Sequence, residues 1–203
     1  MSKKILFGTH NPAKIQRFQS SLKVKNIELI SPVEINLPKL FVEENGKNEK
    51  ENALIKAKAY FEASQIPSIS LDTGFYIIGL KDSEQPGKHV QRMAGADDFD
   101  SDEERFIKMT NFYMQIATNQ GGTATAYFLD VFAYFDGEKT IFSEAKRSAL
   151  LTDKIFYKDI HFPIASIYKV PEFDIYYHQM NQEQMSKYIE PSVLAVREIF
   201  ESI

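Results

Sequence analysis

Cysteine is absent from this 203-residue chain, which excludes disulfides, thiolate nucleophiles and thiolate-bound metals. Long apolar runs are absent too: none approaches the length needed to span a bilayer. Met-Ser-Lys-Lys leads directly into a short apolar strand rather than into a signal-peptide core. The expectation is a cytoplasmic protein without a membrane partner. There is no basic excess, since 24 Lys and Arg stand against 28 Asp and Glu, a formal charge of −4. That argues against a general nucleic-acid binder, which neutralises phosphates with a basic face. It leaves room for an anionic small molecule, because a few lysines in one cleft outweigh a mildly acidic surface locally. Repeats, low-complexity tracts and Gly-, Pro- or Ser-rich linkers are also missing, so residues 1–203 read as one continuous domain. With 43% hydrophobic and 26% charged residues, the chain has an ordinary globular composition and can bury one sizeable core.

What is present alternates between strand and helix. Ile5-Leu6-Phe7 reads as a buried strand, and Ile15, Phe18 and Leu22 follow at helical spacing. Ile27 to Ile30 suggests a second strand, then a connection punctuated by Pro32 and Pro38. Asn48 to Ser64 is helical in pattern, with Leu54, Ala57 and Phe61 on one stripe. Ser68 to Asp72 and Gly74 to Leu80 read as two strands meeting at a bend on Gly74. Ser101 with Glu104 forms a capping box, opening a helix with Phe106, Met109 and Tyr113 on one face. Thr123 to Phe135, with YFLDVFAYF at its centre, is apolar on both faces like a central strand, and Asp136-Gly137 turns it into Thr140-Ile141-Phe142. Gln182 to Ile203 reads as helix interrupted by Pro191. The fold class expected is α/β, with a mixed sheet and flanking helices.

Three stretches carry chemistry. In GTHNPAK, from Gly8 to Lys14, Asn11 is a good N-cap and Pro12 suits the first helical position. Lys14 then falls in the first turn, where a cation opposes the helix dipole at a cost of about 0.3–1 kcal/mol. A bound anion reverses that sign, since free N–H groups and an ammonium converge on it. This phosphate cradle lacks the glycine-rich loop and Gly-Lys-Ser/Thr of a Walker motif. In VEENGKNEKENALIKAKA, Glu43 and Glu44 precede a glycine, and Asn52 and Lys56 stand four apart on one helical face. In SLDTGF, a strand ends in Asp72, followed by Thr73 and Gly74, and strand ends of α/β sheets are where ligands sit. Taken singly, each has an ordinary explanation: a surface lysine, a solvated acidic turn, an Asn52–Lys56 helix pair, an aspartate capping a turn. Together they suit a magnesium-bound polyphosphate, because Mg2+ takes one or two carboxylates plus phosphate oxygens.

The order GTHNPAK, EENG with ENALIKAKA, LDTGF and QPGKHVQRMAG (Gln85 to Gly95) resembles the inosine triphosphate pyrophosphatase family. That family hydrolyses aberrant purine nucleoside triphosphates. The resemblance implies an elongated, two-lobed α/β fold around a long twisted sheet and a central cleft. It also implies Mg2+ dependence, frequently a homodimer, and release of pyrophosphate from a small-molecule nucleotide. By matched position, Asp72 is the general base and a metal contact, and Glu44 a metal ligand. Lys14 and Lys56 serve catalysis, and Thr9, Asn11, Lys14, Lys56 and Thr73 hold phosphates. Asn52 and Arg92 are retained in the motifs and join the substrate-binding set, and His10 lies inside the first loop.

The chain also departs from that pattern. The family's first aspartate before D-S-G is Leu71 here. Val170-Pro171-Glu172 is kept, but the base-reading loop before it is HFPIAS, His161 to Ser166. A gap-free count beyond it places Met185 at the family's lysine and Ile189-Glu190-Pro191 at its S-H-R triplet. Glu144 and Ser148 stand near glycines usual after the hairpin. The expectation is therefore a nucleoside triphosphate pyrophosphatase of inosine or xanthosine type, or of a different base. Alternatives are a non-catalytic nucleotide-binding relative and a pyrophosphatase for a pyrimidine or modified nucleotide, its pocket built from the aromatic-rich Phe156 to Tyr177. A metal-free Schiff-base enzyme using Lys56 is a further rival.

Overall fold

The computed structural model describes residues 2–9, 15, 18, 27–97 and 99–203. Strand β1 (Lys3–Phe7) pairs in parallel with β2 (Ile27–Ile30) and with β3 (Ser68–Ile77). Parallel neighbours need a crossover, and helix α1 (Glu49–Ser64) lies in the connection between β2 and β3. Ile5, Leu6 and Phe7 are almost wholly buried, as a strand covered on both faces must be. Ile15 and Phe18 are helical and buried as their spacing predicts. Phe18 meets Phe7 and Phe132 edge-on at 5.3 and 5.5 Å. Leu22 lies outside the described residues.

Strands β4 (Thr123–Phe135), β5 (Thr140–Thr152), β6 (Tyr168–Val170) and β7 (Ile175–Tyr176) complete a sheet of order β2-β1-β3-β4-β5-β6-β7. The β5–β6 and β6–β7 pairs are antiparallel, so the sheet is mixed, and the α/β expectation holds. The backbone groups into two units, residues 1–73, 130–145 and 190–203 in one, 74–129 and 146–189 in the other. The second unit contains the short α2 (Val90–Met93) and α3 (Asp102–Asn119). The Ser101 hydroxyl accepts from the Glu104 N–H at 3.2 Å, and the Glu104 carboxylate accepts from the Ser101 N–H at 2.9 Å, closing the predicted capping box. Phe106, Met109 and Tyr113 are buried, and burial pushes the Tyr113 phenol well above its ordinary pKa. Helix α4 (Gln182–Glu201) passes through both groups of residues.

Four local expectations change. Gly74 makes no bend, and β3 runs unbroken from Ser68 to Ile77. Its hydrogen bonding continues past the glycine: Phe75 exchanges both backbone bonds with Gly87 at 2.9 Å, and the Gln85 side chain satisfies both the N–H and the carbonyl of Ile77. Asp72 is consequently inside a strand rather than at its end. The buried residues of α1 are Glu49, Asn52, Ala53, Ala57 and Tyr60, whereas Leu54 and Phe61 are half-buried. Two of them, Glu49 and Asn52, are polar, and apolar periodicity omits both. Strand β5 continues to Thr152, ten residues past Phe142, because Ala145, Arg147 and Ala149 alternate inward against exposed Glu144, Lys146 and Ser148. Finally, α4 continues through Pro191 without a break.

Candidate functional site

The loop before α1, α1 itself and β3 bring one cluster together within the first unit. Asn48 caps α1, its side chain accepting from the Glu51 N–H at 3.0 Å. That start places Asn52 and Lys56 one turn apart above β3. Asn52 is 3% exposed. Its Oδ1 accepts from the Gly46 N–H at 2.9 Å and its Nδ2 donates to Asp72 Oδ2 at 3.4 Å. A Cβ on Gly46 would lie 2.7 Å from Asn52 Oδ1, so the glycine of E-E-N-G permits this close approach. Asn52 thus ties the acidic loop to Asp72 and acts as a positioning residue.

Lys56 Nζ donates to Asp72 Oδ1 at 2.7 Å and to Glu44 Oε2 at 3.2 Å. The Lys56 and Asp72 side chains are 15% and 11% exposed, and that of Glu44 is 44%. One ammonium therefore joins two carboxylates contributed by different elements, one deep and one facing solvent. Among the described residues, Asp72 Oδ2 accepts one long bond, from Asn52, and keeps lone-pair capacity for another donor. Among the described residues no group of three or more His, Asp and Glu is placed to hold a metal. Two carboxylates of oxygen-only chemistry still match a Mg2+ whose other ligands are phosphate and water oxygens.

Lys56 and Glu44 line a pocket of about 340 Å³ with Gly8, Thr9, Lys39 and Leu71. Leu71, 7% exposed, supplies hydrocarbon to this wall and no charge. Gly8 follows β1 and lines the pocket: a Cβ there would meet Ser70 Oγ at 2.3 Å and the Tyr60 ring at 2.6 Å. Tyr60 is 5% exposed and Ser70 is also buried, so neither has room to yield. Gly8→Ala is expected to lower stability by about 1–3 kcal/mol, the usual cost of overpacking, measurable as a fall in urea midpoint at unchanged m-value.

A second polar group surrounds Thr73. Its Oγ1 donates to Asp130 Oδ1 at 2.9 Å, and Ser192 Oγ donates to Asp130 Oδ2 at 2.6 Å. Asp130 has no exposed surface, Ser192 none either, and Thr73 is half-buried. Two hydroxyl donors bond a carboxylate that β4 carries into the core, and losing a hydrogen bond to a buried charged group costs about 1–3 kcal/mol.

The structure thus assembles Glu44, Asn52, Lys56 and Asp72, with Thr9 on the pocket wall and Thr73 next along β3. Arg92 lies on α2 in the second unit, with its side chain exposed. His10, Asn11 and Lys14 lie outside the described residues. Sequence reasoning misses Asp130 and Ser192. The available signal is a charged residue inside a run otherwise apolar on both faces, since a buried charge requires partners.

The sequence profile of the Ham1 family matches residues 5–200. A dITP/XTP pyrophosphatase of Leptospira interrogans is 30% identical over 154 residues, 76% of this chain and 73% of that protein. Two solved structures share the fold. The Ham1 protein of Staphylococcus aureus has a TM-score of 0.75 at 23% identity, covering 98% of this chain and 99% of its own. A HAM1 protein of Coxiella burnetii has a TM-score of 0.77 at 20% identity, with complete coverage of both chains.

Proposed function

Since this chain belongs to the Ham1 family, we propose that it is a nucleoside triphosphate pyrophosphatase, which splits a nonstandard purine nucleoside triphosphate into its monophosphate and pyrophosphate. The observation that carries this reading is Lys56 held between Asp72 and Glu44 on the wall of the pocket formed by Gly8 and Thr9. The dITP/XTP pyrophosphatase name of the Leptospira relative supports inosine- and xanthosine-type bases as substrates. The resemblance noted in the sequence extends the reading to magnesium, a homodimer and a cytoplasmic location. Among the described residues no helix is long and apolar enough to cross a membrane.

Asp72 takes a proton from water through Oδ2, the oxygen that Lys56 leaves available. The water oxygen bonds to the α-phosphorus as the bond to the bridging oxygen breaks, and that electron pair departs with pyrophosphate. Lys56 offsets the charge building on the leaving group, as a fixed cation aimed at a transition state does. Asn52 holds Asp72 and the acidic loop in register. Glu44 and Asp72 would hold magnesium, which when bound supplies further charge neutralisation at the phosphates.

The test is pyrophosphate release from inosine, xanthosine, deoxyuridine and the four common nucleoside triphosphates, with magnesium and then with chelator. Magnesium-dependent turnover of inosine or xanthosine triphosphate is expected, with loss in chelator. A second reading, a nucleotide-binding relative without turnover, is favoured by Leu71, which puts hydrocarbon where the family has a carboxylate. Thermal stabilisation by these nucleotides with no pyrophosphate released would establish it instead.

A further inference from the structure

The pocket of the first unit carries a second cation, Lys39, which has no part in the mechanism. Lys56 Nζ serves Asp72 at 2.7 Å and Glu44 at 3.2 Å, so one positive charge stands against two negative ones. On its own that cluster repels a polyphosphate. Magnesium held by the two carboxylates would offset their charge beside the reacting phosphorus, and the rest of the triphosphate still needs a cation of its own. Lys39 lines the same pocket as Lys56, Glu44 and Leu71. Among the described residues no carboxylate pairs with it, and Leu71 adds no charge to the wall they share. The neighbours of Lys39 set its place. Residues 39–42 form one continuous side of the pocket, outside helix and strand. Leu40 is half-buried and packs against the cluster of Leu6, Ile30 and Tyr60. Lys39 and Phe41, on either side of it, are exposed. Leu40 thus anchors the segment, and Lys39 offers a cation at the rim.

We propose that Lys39 binds the terminal phosphate of the substrate, the end that leaves as pyrophosphate. This rests on the pyrophosphatase reading. The terminal phosphate of a nucleoside triphosphate is largely doubly ionised at neutral pH, as phosphate monoesters are with a second pKa of about 6. Each of the two inner phosphates bears a single ionisable oxygen. Asp72 and Lys56 take the α-phosphorus on the inner side of the pocket, where their side chains are 11% and 15% exposed. The most highly charged end then lies toward solvent, where the exposed Lys39 meets it. Lys39 is a specificity-determining residue that favours triphosphates over shorter phosphates, and it takes no part in the chemistry at the α-phosphorus.

The test measures dissociation constants of inorganic pyrophosphate and of inosine monophosphate, at fixed magnesium, for wild type, Lys39→Met and Lys39→Arg. Lys39→Met is expected to bind pyrophosphate about tenfold more weakly, the worth of one charge-assisted bond that solvent partly screens. Its affinity for the monophosphate is expected to stay at the wild-type value. Lys39→Arg keeps pyrophosphate binding, since a guanidinium also pairs with phosphate. The difference between wild type and Lys39→Met shrinks as salt rises, as an exposed charge contact must. In turnover of inosine triphosphate, or of whichever nucleotide the enzyme accepts, the loss in Lys39→Met falls on KM more than on kcat. An exposed side chain outside helix and strand puts little of the fold at risk, and matching thermal melts check that. Unchanged pyrophosphate affinity in Lys39→Met, or none in the wild type, overturns the contact. Equal weakening of both products overturns its assignment to the terminal phosphate. A wild type that binds pyrophosphate but releases none from any nucleotide overturns the pyrophosphatase reading, and the contact is still read from the two dissociation constants. A wild type that turns nucleotides over, with pyrophosphate affinity indifferent to Lys39, overturns this inference alone.

Discussion

Asp72→Asn is expected to slow pyrophosphate release by about 10²–10⁴-fold, the range for loss of a positioned general base, with KM changed far less. Asparagine keeps the shape and its one carbonyl oxygen can still accept from Lys56, at the cost of the long bond from Asn52, but it cannot accept the water's proton. The fold should survive, because Lys56 retains Glu44 at 3.2 Å as a counter-charge and no charge is left buried without a partner. Steady-state kinetics and a thermal melt on the same preparation check both halves. A variant that melts like wild type and turns over at wild-type rate would remove Asp72 from the chemistry.

Lys56→Met should have the next largest effect, about 10²–10³-fold in kcat, as for removal of one preorganised charge-stabilising donor. Here the fold is also affected. Without the ammonium, the Asp72 carboxylate, 11% exposed, loses its 2.7 Å partner and faces Glu44 as a like charge. A fully buried pair broken this way costs about 3–5 kcal/mol. Partial wetting of both groups argues for about 2 kcal/mol, the lower side of that scale. The two carboxylates left behind are a better divalent-cation site than the wild type offers, so added magnesium should recover part of the lost stability. Urea titrations with and without magnesium read this directly. Wild-type stability together with wild-type kcat in Lys56→Met would contradict the assigned role.

The parts legible in the sequence are those whose partners are near in the chain or whose residue types admit few uses. The Ser101–Glu104 capping box is local, and so is the helical pattern that starts at about Asn48. Residue type and spacing nominate Lys56 and Asp72, though not their 2.7 Å contact. Other features depend on partners brought by the fold. Asp130 reaches Thr73 across 57 positions and Ser192 across 62, and local periodicity says nothing of such distant pairs. Gly74 is extended because Gln85 and Gly87 complete the hydrogen bonds beyond it, not because of its own preference. The part of β5 beyond Phe142 is hidden because its inward residues include Arg147, a guanidinium stacked on Phe128 and Tyr188 at 5.1 and 5.2 Å. An arginine at an inward position masks the alternation that marks a strand. Asn52, likewise, looks like a ligand contact by residue type, and its two bonds within the protein turn it into a support for Asp72.

The measurement that tests the central claim most directly is a single turnover of inosine triphosphate with magnesium in 18O-labelled water, followed by mass analysis of the products. Attack at the α-phosphorus, with water activated by Asp72, places one labelled oxygen on the nucleoside monophosphate and none on the released pyrophosphate. Label in inorganic phosphate with formation of the diphosphate would mean attack at the γ-phosphorus, and would contradict the assignment of this site as a pyrophosphatase.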